Sequence, residues 1–497
     1  MAGFADWAGL KFRPEKCATL AVEYGSNSQR VVPTDPFLCQ GNALPVLTWY
    51  ERYKYLGKNL GGECAESLDK TKEQFLKDLE KVMSSSLAPW QKLLAFKVFL
   101  RPRFEYHLRV GAISKTWAKT VDLEVRRWLR IGLGLSKNTN QHLFYTSTDT
   151  GGLGIFELSR DVDAALVSTA IRMLNSRDSF VRKVACAGLR DACAKRTGND
   201  AASFPTSFGW LSLPPGSGEA ARGDITSFWV KVRNAKHNLG PLVSLAAPDS
   251  NFPPRLLVQG SERAPAGIRL LRSKFAEIHL QQLSSLKDQG KTASSCTMAR
   301  ELNSWLGNSA GLRDREWRFA LNVCTNSLPV RAVHAKHRGY SGNKACPRCG
   351  FHSETLPHVL NHCPYMMWEG PGQNPILGRH DTILNIVLKD ANIPENAEVF
   401  KDQQLPGYSS DPLLRPDLVV VDHGRKRAVI ADVACPFESS LPALQKACDT
   451  KRTKYDGIKK NFEARGYTVV LDALVVECRG SYNIWKRRCL AESSVHS

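Results

Sequence analysis

The chain has 497 residues, of which 42% are apolar and 23% charged, a composition typical of folded globular domains that excludes collagenous, mucin-like and wholly disordered proteins. Its 68 lysines and arginines outnumber 48 aspartates and glutamates, and the resulting net charge of +20 favours an anionic partner, nucleic acid first. The length predicts about three or four domains.

Two further features of the composition bear on the cellular compartment. The sequence contains no run of about 18 uncharged apolar residues. Its N-terminus has no basic segment followed by an apolar one, so neither a membrane span nor a secretory signal is predicted. Of the 14 cysteines only Cys346, Cys349 and Cys363 cluster, which favours a reducing intracellular compartment over a disulfide framework.

The N-terminal third of the chain changes from short strand segments to helices. Residues 1–62 mix turns with short strands and are typical of the end of a domain. From about Ser67 to Arg177, apolar residues recur at helical spacing and predict a helical domain. One of its helices carries a basic face beside aromatic residues, a pattern that either contacts a nucleic-acid backbone or covers an ordinary core. The net charge favours binding, through Arg126, Arg127 and Arg130.

The middle of the chain has linker composition. Residues 195–267 are rich in Gly, Pro, Ser and Ala and predict a flexible linker with one short helix near Phe228 to Lys236. A second helical block, from about Ile268 to Ala335, leads into the cysteine cluster. An α/β pattern follows from about Ile383, so the predicted fold class is multidomain α+β.

The cysteine cluster has the spacing of a metal site. Its pattern is Cys-x2-Cys-x8-His-x4-Cys, formed by Cys346, Cys349, His358 and Cys363. A segment this short cannot bury a core of its own, and tetrahedral Zn²⁺ supplies the folding energy of such segments. His362 is an alternative ligand, but the four residues between His358 and Cys363 let both side chains face one ion. Because protein ligands fill all four positions, we expect a structural zinc site.

Paired aspartates give the most specific chemistry in the chain. Residues 415–434 contain two β-branched runs around a polar turn and predict a hairpin whose strands are apolar on both faces. If the turn centres on Gly424 and Arg425, residues whose numbers sum to 849 lie opposite one another, and Asp417 and Asp432 form such a pair. Opposed carboxylates repel, and a divalent cation such as Mg²⁺ relieves the repulsion. A register slip of one residue separates them.

A basic helix follows the hairpin. Residues from about Leu441 to Arg465 predict a helix, and Thr468 to Val476 predict another buried strand. Lys451 and Lys454 lie one turn apart and can share a face directed at the carboxylates. Either lysine can stabilise charge at a reacting phosphate, or serve only as a phosphate contact without a catalytic role.

These residues resemble a known family. Arg415-Pro416-Asp417, then Asp432 after fourteen intervening residues, then a Lys-x-x-Lys-Tyr helix is similar to the restriction-like endonuclease of site-specific non-LTR retrotransposons, a variant of the PD-(D/E)xK nuclease fold. The common form of that fold places the lysine two positions after the second carboxylate, where this chain has Ala434. The resemblance implies that Asp417 and Asp432 bind Mg²⁺ and that the relocated Lys451, Lys454 or both assist.

The resemblance extends upstream of the nuclease. Asn326–Arg331 resembles the linker motif of the family, and Gly151–Ile155 resembles the segment after a reverse-transcriptase thumb. Gly9-Leu10, Pro14–Cys17 and Tyr55–Gly57 resemble the last motifs of the polymerase palm. Arg331 and Arg415 are further expected nucleic-acid contacts. The implied domains are an incomplete palm end (1–62), a thumb-like helical domain (63–194), a flexible linker (195–267), a helical linker domain (268–340), a zinc knuckle (341–370) and the nuclease (371–497).

The resemblance also implies a function and an absence. The paired aspartates of a reverse-transcriptase Tyr/Phe-x-Asp-Asp turn do not precede the palm end, so this chain is expected to be the C-terminal part of a longer polyprotein without polymerase activity of its own. The expected reaction is metal-dependent nicking of double-stranded target DNA, in ribosomal RNA genes, in the nucleus, with the RNA of the element as a second partner. One alternative is a non-catalytic remnant that only binds nucleic acid. The other is a chain that has the zinc site but whose hairpin is part of an ordinary sheet without a metal site.

Overall fold

The chain forms a mixed α+β structure. The computed structural model describes residues 2–24, 29–31, 34–55, 58–61, 68–110, 113–199, 203–217, 227–246, 253–259, 267–290, 292–297, 303–335, 341–367, 375–391, 393–409, 411, 413–437 and 441–476. Contacts divide the chain into two units, Met1–Gln74 and Phe75–Ser497.

The N-terminal unit consists of short elements joined by turns. The sequence predicts short strands for this region, and the structure pairs them as antiparallel hairpins. Of the segments that resemble the polymerase palm, Tyr55–Gly57 lies partly outside the described residues. The elements are α1 (Ala2–Trp7), β1 (Val22–Tyr24), β2 (Gln29–Val31), β3 (Leu38–Cys39), β4 (Asn42–Ala43), β5 (Arg52–Tyr55), β6 (Lys58–Gly61) and the start of α2 (Asp69–Ser84).

The second unit begins with the helical region that the apolar spacing predicts. α2 continues into it, and a π-helical turn, Phe96–Leu100, follows α3. The helices up to residue 199 are α3 (Pro89–Ala95), α4 (Glu105–Arg109), α5 (Lys115–Leu133), α6 (His142–Tyr145), α7 (Leu158–Leu174) and α8 (Ser179–Thr197).

Helix α5 shows how the sequence defines these elements. The hydroxyl of Ser114 accepts a hydrogen bond from the N–H of Trp117 at its start. Gly134 ends the helix at φ 67°, a conformation that favours glycine. Between these caps the buried residues recur every three or four positions and form one apolar face, which comprises Ala118, Val121, Val125, Leu129 and Leu133.

The predicted flexible linker has more structure than its composition indicates. Its described residues include α9 (Phe204–Trp210), α10 (Phe228–Leu239) and an antiparallel hairpin of β7 (Val243–Ala246) and β8 (Arg255–Val258). Trp210 and Trp229 are buried, and the guanidinium of Arg233 lies over the Trp210 ring and donates to the carbonyl of Leu213. Sparse aromatic anchors therefore fold a segment that is otherwise rich in Gly, Pro and Ser.

The second helical block packs on α6 and α7 of the preceding helical region. Its elements are α11 (Ile268–Ser284), α12 (Ala293–Cys296), α13 (Trp305–Asn308), α14 (Asp314–Cys324) and α15 (Arg331–His334). Arg272 of α11 donates to buried Asp161 of α7 at 2.8 Å, and Arg101 pairs with the same carboxylate. Two guanidiniums are needed because an unpaired carboxylate at this depth is costly.

The C-terminal region is the predicted α/β fold. After α16 (Pro364–Met367) and α17 (Pro375–Asp390) come β9 (Glu398–Lys401), β10 (Leu418–Asp422), β11 (Arg427–Ala434), α18 (Leu441–Glu463) and β12 (Thr468–Val475). These strands form one sheet in the order β12-β11-β10-β9. β12 runs parallel to β11 and the other neighbours are antiparallel, with α18 as the crossover helix.

Helices cover both faces of this sheet. Tyr455, Ile458 and Phe462 of α18 pack on one face, and Leu384 of α17 packs on the other. This explains why β10 and β11 are apolar at consecutive positions, as the sequence predicts for central strands. Among the described residues, no helix has the length and apolar character that a membrane span requires.

Candidate nuclease site and metal centre

The hairpin of β10 and β11 has the register that the sequence predicts. Each pair of opposed residues, from Leu418 and Ala431 to Asp422 and Arg427, has numbers that sum to 849. The four-residue turn between them is therefore centred on Gly424 and Arg425, and Lys426 adopts φ 48°. Continued by one residue, this register sets Asp417 opposite Asp432 at the end of the hairpin away from the turn.

Asp417 is held from two sides. Its Oδ2 accepts a hydrogen bond from the N–H of Val433 at 2.6 Å and another from Nε2 of His380 at 2.9 Å. Burial raises the pKa of Asp417, the Val433 N–H lowers it, and the negative charge of Asp432 raises it, with a net increase above the ordinary value. The two carboxylates thus interact electrostatically.

Asp432 is almost completely buried, with 1% of its surface exposed. Its Oδ2 forms an ion pair with the ammonium of Lys451, which α18 brings over the sheet. The ammonium compensates the charge of a carboxylate that would be costly to bury without a partner.

Tyr455 connects the crossover helix to the loop that carries Asp417. Its hydroxyl donates to the carbonyl of Arg415 at 3.0 Å, while its ring is buried under the sheet. Burial and the charges of Asp432 and Asp417 raise the pKa of Tyr455, so the phenol stays protonated and can keep donating. The side chain of Arg415, two residues before Asp417, is exposed.

Lys454 does not reach the carboxylates. It is exposed, and its ammonium lies 4.8 Å from the centre of the Tyr455 ring. The structure therefore brings Asp417, Asp432 and Lys451 together, while Lys454 lies on the outer side of α18.

Sequence reasoning missed His380. This residue lies on α17, on the opposite face of the sheet from α18, and no motif marks it. Its Nε2 faces Asp417 and its Nδ1 lies 3.2 Å from Oδ1 of Asp381. Burial lowers the pKa of His380, but the hydrogen bonds with Asp417 and Asp381 outweigh burial and raise it above the ordinary value. The only available signal was a His-Asp pair on an amphipathic helix, which is too common to be specific.

The arrangement of oxygens fits a hard divalent cation. Oδ2 of Asp417 is occupied by two donors, and its Oδ1 accepts no hydrogen bond among the described residues. Oδ2 of Asp432 has the ammonium of Lys451 as its ion-pair partner. Two neighbouring carboxylates match the preference of Mg²⁺, which takes one or two carboxylates and completes its shell with water and phosphate oxygens.

The cysteine cluster forms a preassembled metal site. The ligand atoms of Cys346, Cys349, His358 and Cys363 all lie within 4.8 Å of one another. The sulfurs of Cys346 and Cys363 are 4.0 Å apart, close to the edge of about 3.8 Å of a tetrahedron with zinc–sulfur bonds of about 2.3 Å. Nε2 of His358 lies 3.2 Å from the sulfur of Cys349. The cluster can therefore hold zinc, and His358 rather than His362 completes it.

The backbone around Cys346 prepares its thiolate. Gly350, at φ 75°, donates to the carbonyl of Cys346, and Cys346 donates back to the carbonyl of Phe351 at 2.8 Å. Burial raises the pKa of Cys346, but hydrogen bonds from the N–H groups of Cys349 and Arg348 and with the side chains of His358 and Cys349 together lower it to about 7. A lowered pKa favours the thiolate form that binds metal.

The Cys-His cluster contacts the C-terminal α/β region directly. The amide of Asn361, between His358 and Cys363, donates to the carbonyl of Cys435, just after β11. Arg379 of α17, next to His380, donates to the side chain of Asn361 at 2.9 Å. The cluster therefore supports the two elements that carry Asp432 and His380.

The arginines predicted to contact nucleic acid differ in how many bonds their side chains form within the protein. Arg126 donates to the hydroxyl of Tyr145, and Arg130 donates to the carbonyl of Thr139, so both also stabilise the helical fold. Arg127 is mostly exposed beside Glu124.

Arg331, another predicted nucleic-acid contact, forms hydrogen bonds next to the Cys-His cluster. Its backbone N–H donates to the carboxylate of Glu354, and its guanidinium donates to the carbonyl of Ala345 at 2.9 Å. The linker motif thus docks onto the loop that precedes Cys346.

Comparison with known proteins finds relatives along nearly the whole chain. A retrovirus-related Pol polyprotein from type-1 retrotransposable element R2 of Popillia japonica is 24% identical over 493 residues, which cover 96% of this chain and 66% of that protein. A protein of the same description from Nasonia vitripennis is 32% identical over 151 residues, 30% of this chain and 14% of that protein. The chain thus spans less than two thirds of either relative. No family model matches it.

Proposed function

Homology to the Pol polyproteins of type-1 retrotransposable element R2 is the premise from which we propose that this chain carries a metal-dependent DNA endonuclease site. In this proposal the C-terminal region is a restriction-like nuclease of the PD-(D/E)xK type, and the residues before it are a palm end, a thumb-like domain and a linker. The chain then acts within a non-LTR retrotransposon protein, whose partners are double-stranded target DNA and the RNA of the element. A DNA substrate of this kind implies a nuclear location.

One observation carries the proposal. The hairpin pairs Leu418 with Ala431, so Asp417 and Asp432 are the next residues along the two strands, and their carboxylates interact electrostatically. Lys451 of the crossover helix forms an ion pair with Asp432. Two carboxylates and a lysine at one end of the central hairpin are the groups that hydrolysis of a phosphodiester needs: ligands for a cation and a positive charge near the phosphate.

Each residue has a distinct role in this proposal. Asp417 and Asp432 hold Mg²⁺, which when bound supplies Lewis-acid polarisation of the scissile phosphate. Without a bound ion, Lys451 forms an ion pair with Asp432. When Mg²⁺ takes over the charge of Asp432, the ammonium of Lys451 is available to donate to a phosphate oxygen. His380 fixes Asp417, and Arg415 contacts the DNA backbone at the rim of the site.

The structural zinc site has a supporting role. We propose that one Zn²⁺ folds the knuckle and is bound by Cys346, Cys349, His358 and Cys363. The hydrogen bond from Asn361 to the carbonyl of Cys435 then links the folded knuckle to the end of β11. No chemistry at the zinc is needed, since four protein ligands complete its shell.

A nicking assay tests the proposal. Purified protein is incubated with supercoiled plasmid that carries ribosomal RNA gene sequence, with Mg²⁺ or with EDTA. We expect conversion to open circles only with Mg²⁺. Retarded plasmid without any nicking at up to millimolar Mg²⁺ or Mn²⁺ would instead support the non-catalytic binding remnant.

Comparison of the two lysines gives a first prediction. Replacement Lys451→Met should reduce the nicking rate by about 10²–10³-fold, because it removes the cation next to the scissile phosphate. Lys454→Met removes the same charge one turn away and should change the rate by less than about threefold. Single-turnover nicking measures both, and equal losses in the two variants would contradict the assignment of Lys451.

His380 gives a second prediction. His380→Leu removes a hydrogen bond to Asp417 and should raise the Mg²⁺ concentration for half-maximal nicking by about 10–100-fold, the usual effect of losing a group that orients a metal ligand. His380→Gln keeps an N–H donor near the position of Nε2 and should restore most of the affinity. A magnesium titration of nicking separates this effect from a loss of maximal rate, and a Leu variant with unchanged magnesium dependence would argue against the role.

A further inference from the structure

A π-helical turn in the thumb-like region holds a lysine that has no polar partner among the residues that the structure describes. The turn, Phe96–Leu100, arises because Pro102 has no N–H for the carbonyl of Val98, and the N–H of Arg101 instead reaches the carbonyl of Phe96. Such turns are frequent at functional sites. Lys97 lies within it.

The ammonium of Lys97 differs from its neighbours. Lys92 donates to the carbonyl of Met83 at 2.8 Å, and Arg101 pairs with Asp161. Lys97 has neither a hydrogen bond nor an ion pair among the described residues. Burial alone lowers the pKa of Lys97, to about 8, and no nearby charge opposes this effect. A desolvated, unpaired ammonium destabilises the fold, so a purely structural explanation is poor.

A glycine loop lies directly against this ammonium. A side chain at Gly154 would place its Cβ 3.2 Å from Nζ of Lys97 and 3.2 Å from the backbone nitrogen of Thr148. Gly154 adopts φ 61°, and the loop is fixed by hydrogen bonds from Gly154 to the carbonyl of Thr146 and from Leu153 to that of Leu143. Glycine here keeps the space in front of the ammonium free of a side chain.

We propose that Lys97 and the Gly154 loop form a binding site for a backbone phosphate of a nucleic-acid strand. Burial removes water from the ammonium of Lys97, and a bound phosphate would supply the charged hydrogen-bond partner that the described residues do not provide. The net charge of +20 favours a polyanion over a small acidic metabolite. Phe99, in the same turn, is 69% exposed and offers an aromatic surface of the kind on which unpaired bases stack. The site goes beyond the proposed nuclease and does not depend on it.

The substitution Lys97→Met tests the site through two effects of opposite sign. The thioether fills a similar volume without a desolvated charge, so the melting temperature of the free protein should rise by ~2–4 °C. Affinity for fluorescein-labelled single-stranded RNA should fall about tenfold, and the slope of log affinity against log salt should decrease in magnitude by about one. Lys183→Met, an exposed lysine on α8, is the matched control and should leave the melting temperature unchanged and affinity within about twofold.

Further ligands identify what binds. Duplex DNA and inorganic phosphate are titrated in parallel with the RNA. If the site binds nucleic acid, the affinity for RNA, for duplex DNA or for both should fall in Lys97→Met. Unchanged affinity of the variant for both polymers, or a loss no larger than that of Lys183→Met, would overturn the proposal. A response to inorganic phosphate alone would also overturn it, because the site would then take a small anion.

A measurement on the unmodified protein covers the case in which Lys97→Met does not fold. Amine acetylation at pH 8, followed by mass spectrometry, reports the reactivity of each lysine with and without saturating RNA. Lys97 should be protected by RNA, and equal acetylation in both conditions would refute the site. The inactive variant Asp432→Asn should show the same protection, which separates this site from the nuclease.

Discussion

Asp432→Asn is expected to reduce magnesium-dependent nicking by ~10³-fold or more, because it removes one of two carboxylates that hold the cation at the scissile phosphate. The substitution keeps the size of the side chain but leaves one acceptor oxygen in place of a carboxylate. It also removes the ion-pair partner of Lys451, so a folding control is essential. The rate of plasmid nicking under single-turnover conditions measures the effect.

Asp422→Asn is the matched control for this prediction. Asp422 lies in the same hairpin, and its Oδ1 accepts the N–H of Arg425, a contact that an asparagine oxygen preserves. This variant should nick at a rate within about twofold of the original protein. Circular dichroism checks that both variants keep their helical content. Equal nicking by a folded Asp432→Asn protein would exclude Asp432 from the reaction.

Cys349→Ser is expected to abolish zinc binding and to unfold the knuckle. Structural zinc contributes about 10–16 kcal/mol to the folding of such small segments, far more than the few apolar contacts of residues 341–367 can replace. Zinc content, measured by plasma mass spectrometry, should fall from one ion per chain to none. Hydrogen exchange should rise between Cys346 and Cys363.

Cys349→Ser should also lower the activity of the proposed nuclease site. Because Asn361 donates to the carbonyl of Cys435, we expect nicking to fall by about tenfold or more when the knuckle unfolds. Cys186→Ser, a cysteine of α8 outside the cluster, is the control and should keep both zinc and activity. Full zinc content in the Cys349 variant would contradict the assignment of Cys349 as a zinc ligand. Unchanged nicking by a variant that has lost its zinc would show that the knuckle does not support the sheet.

The local parts of the site were predictable from sequence. The hairpin of β10 and β11 follows from two β-branched runs around a polar turn, and its register follows from the position of that turn. The Cys-His cluster follows from its spacing, since Cys346 and Cys363 are only 17 positions apart and the four side chains between and including them have the spacing of a metal site.

The contacts between distant elements were not predictable. Periodicity identifies α17 as a helix, but it does not show that His380 reaches Asp417 from the opposite face of the sheet. Two lysines one turn apart on α18 are equivalent in sequence, and only the crossover geometry brings Lys451 to Asp432. Composition also underestimated residues 203–259, where Trp210, Trp229 and Arg233 order a Gly- and Pro-rich segment.

Binding of Mn²⁺, followed by electron paramagnetic resonance on zinc-loaded protein without DNA, tests most directly whether the opposed carboxylates hold a divalent ion. The unsubstituted chain and Asp422→Asn should each bind one Mn²⁺ that Mg²⁺ displaces, whereas Asp417→Asn and Asp432→Asn should each lose it. Equal Mn²⁺ binding by all four proteins would mean that the two aspartates are not a metal site.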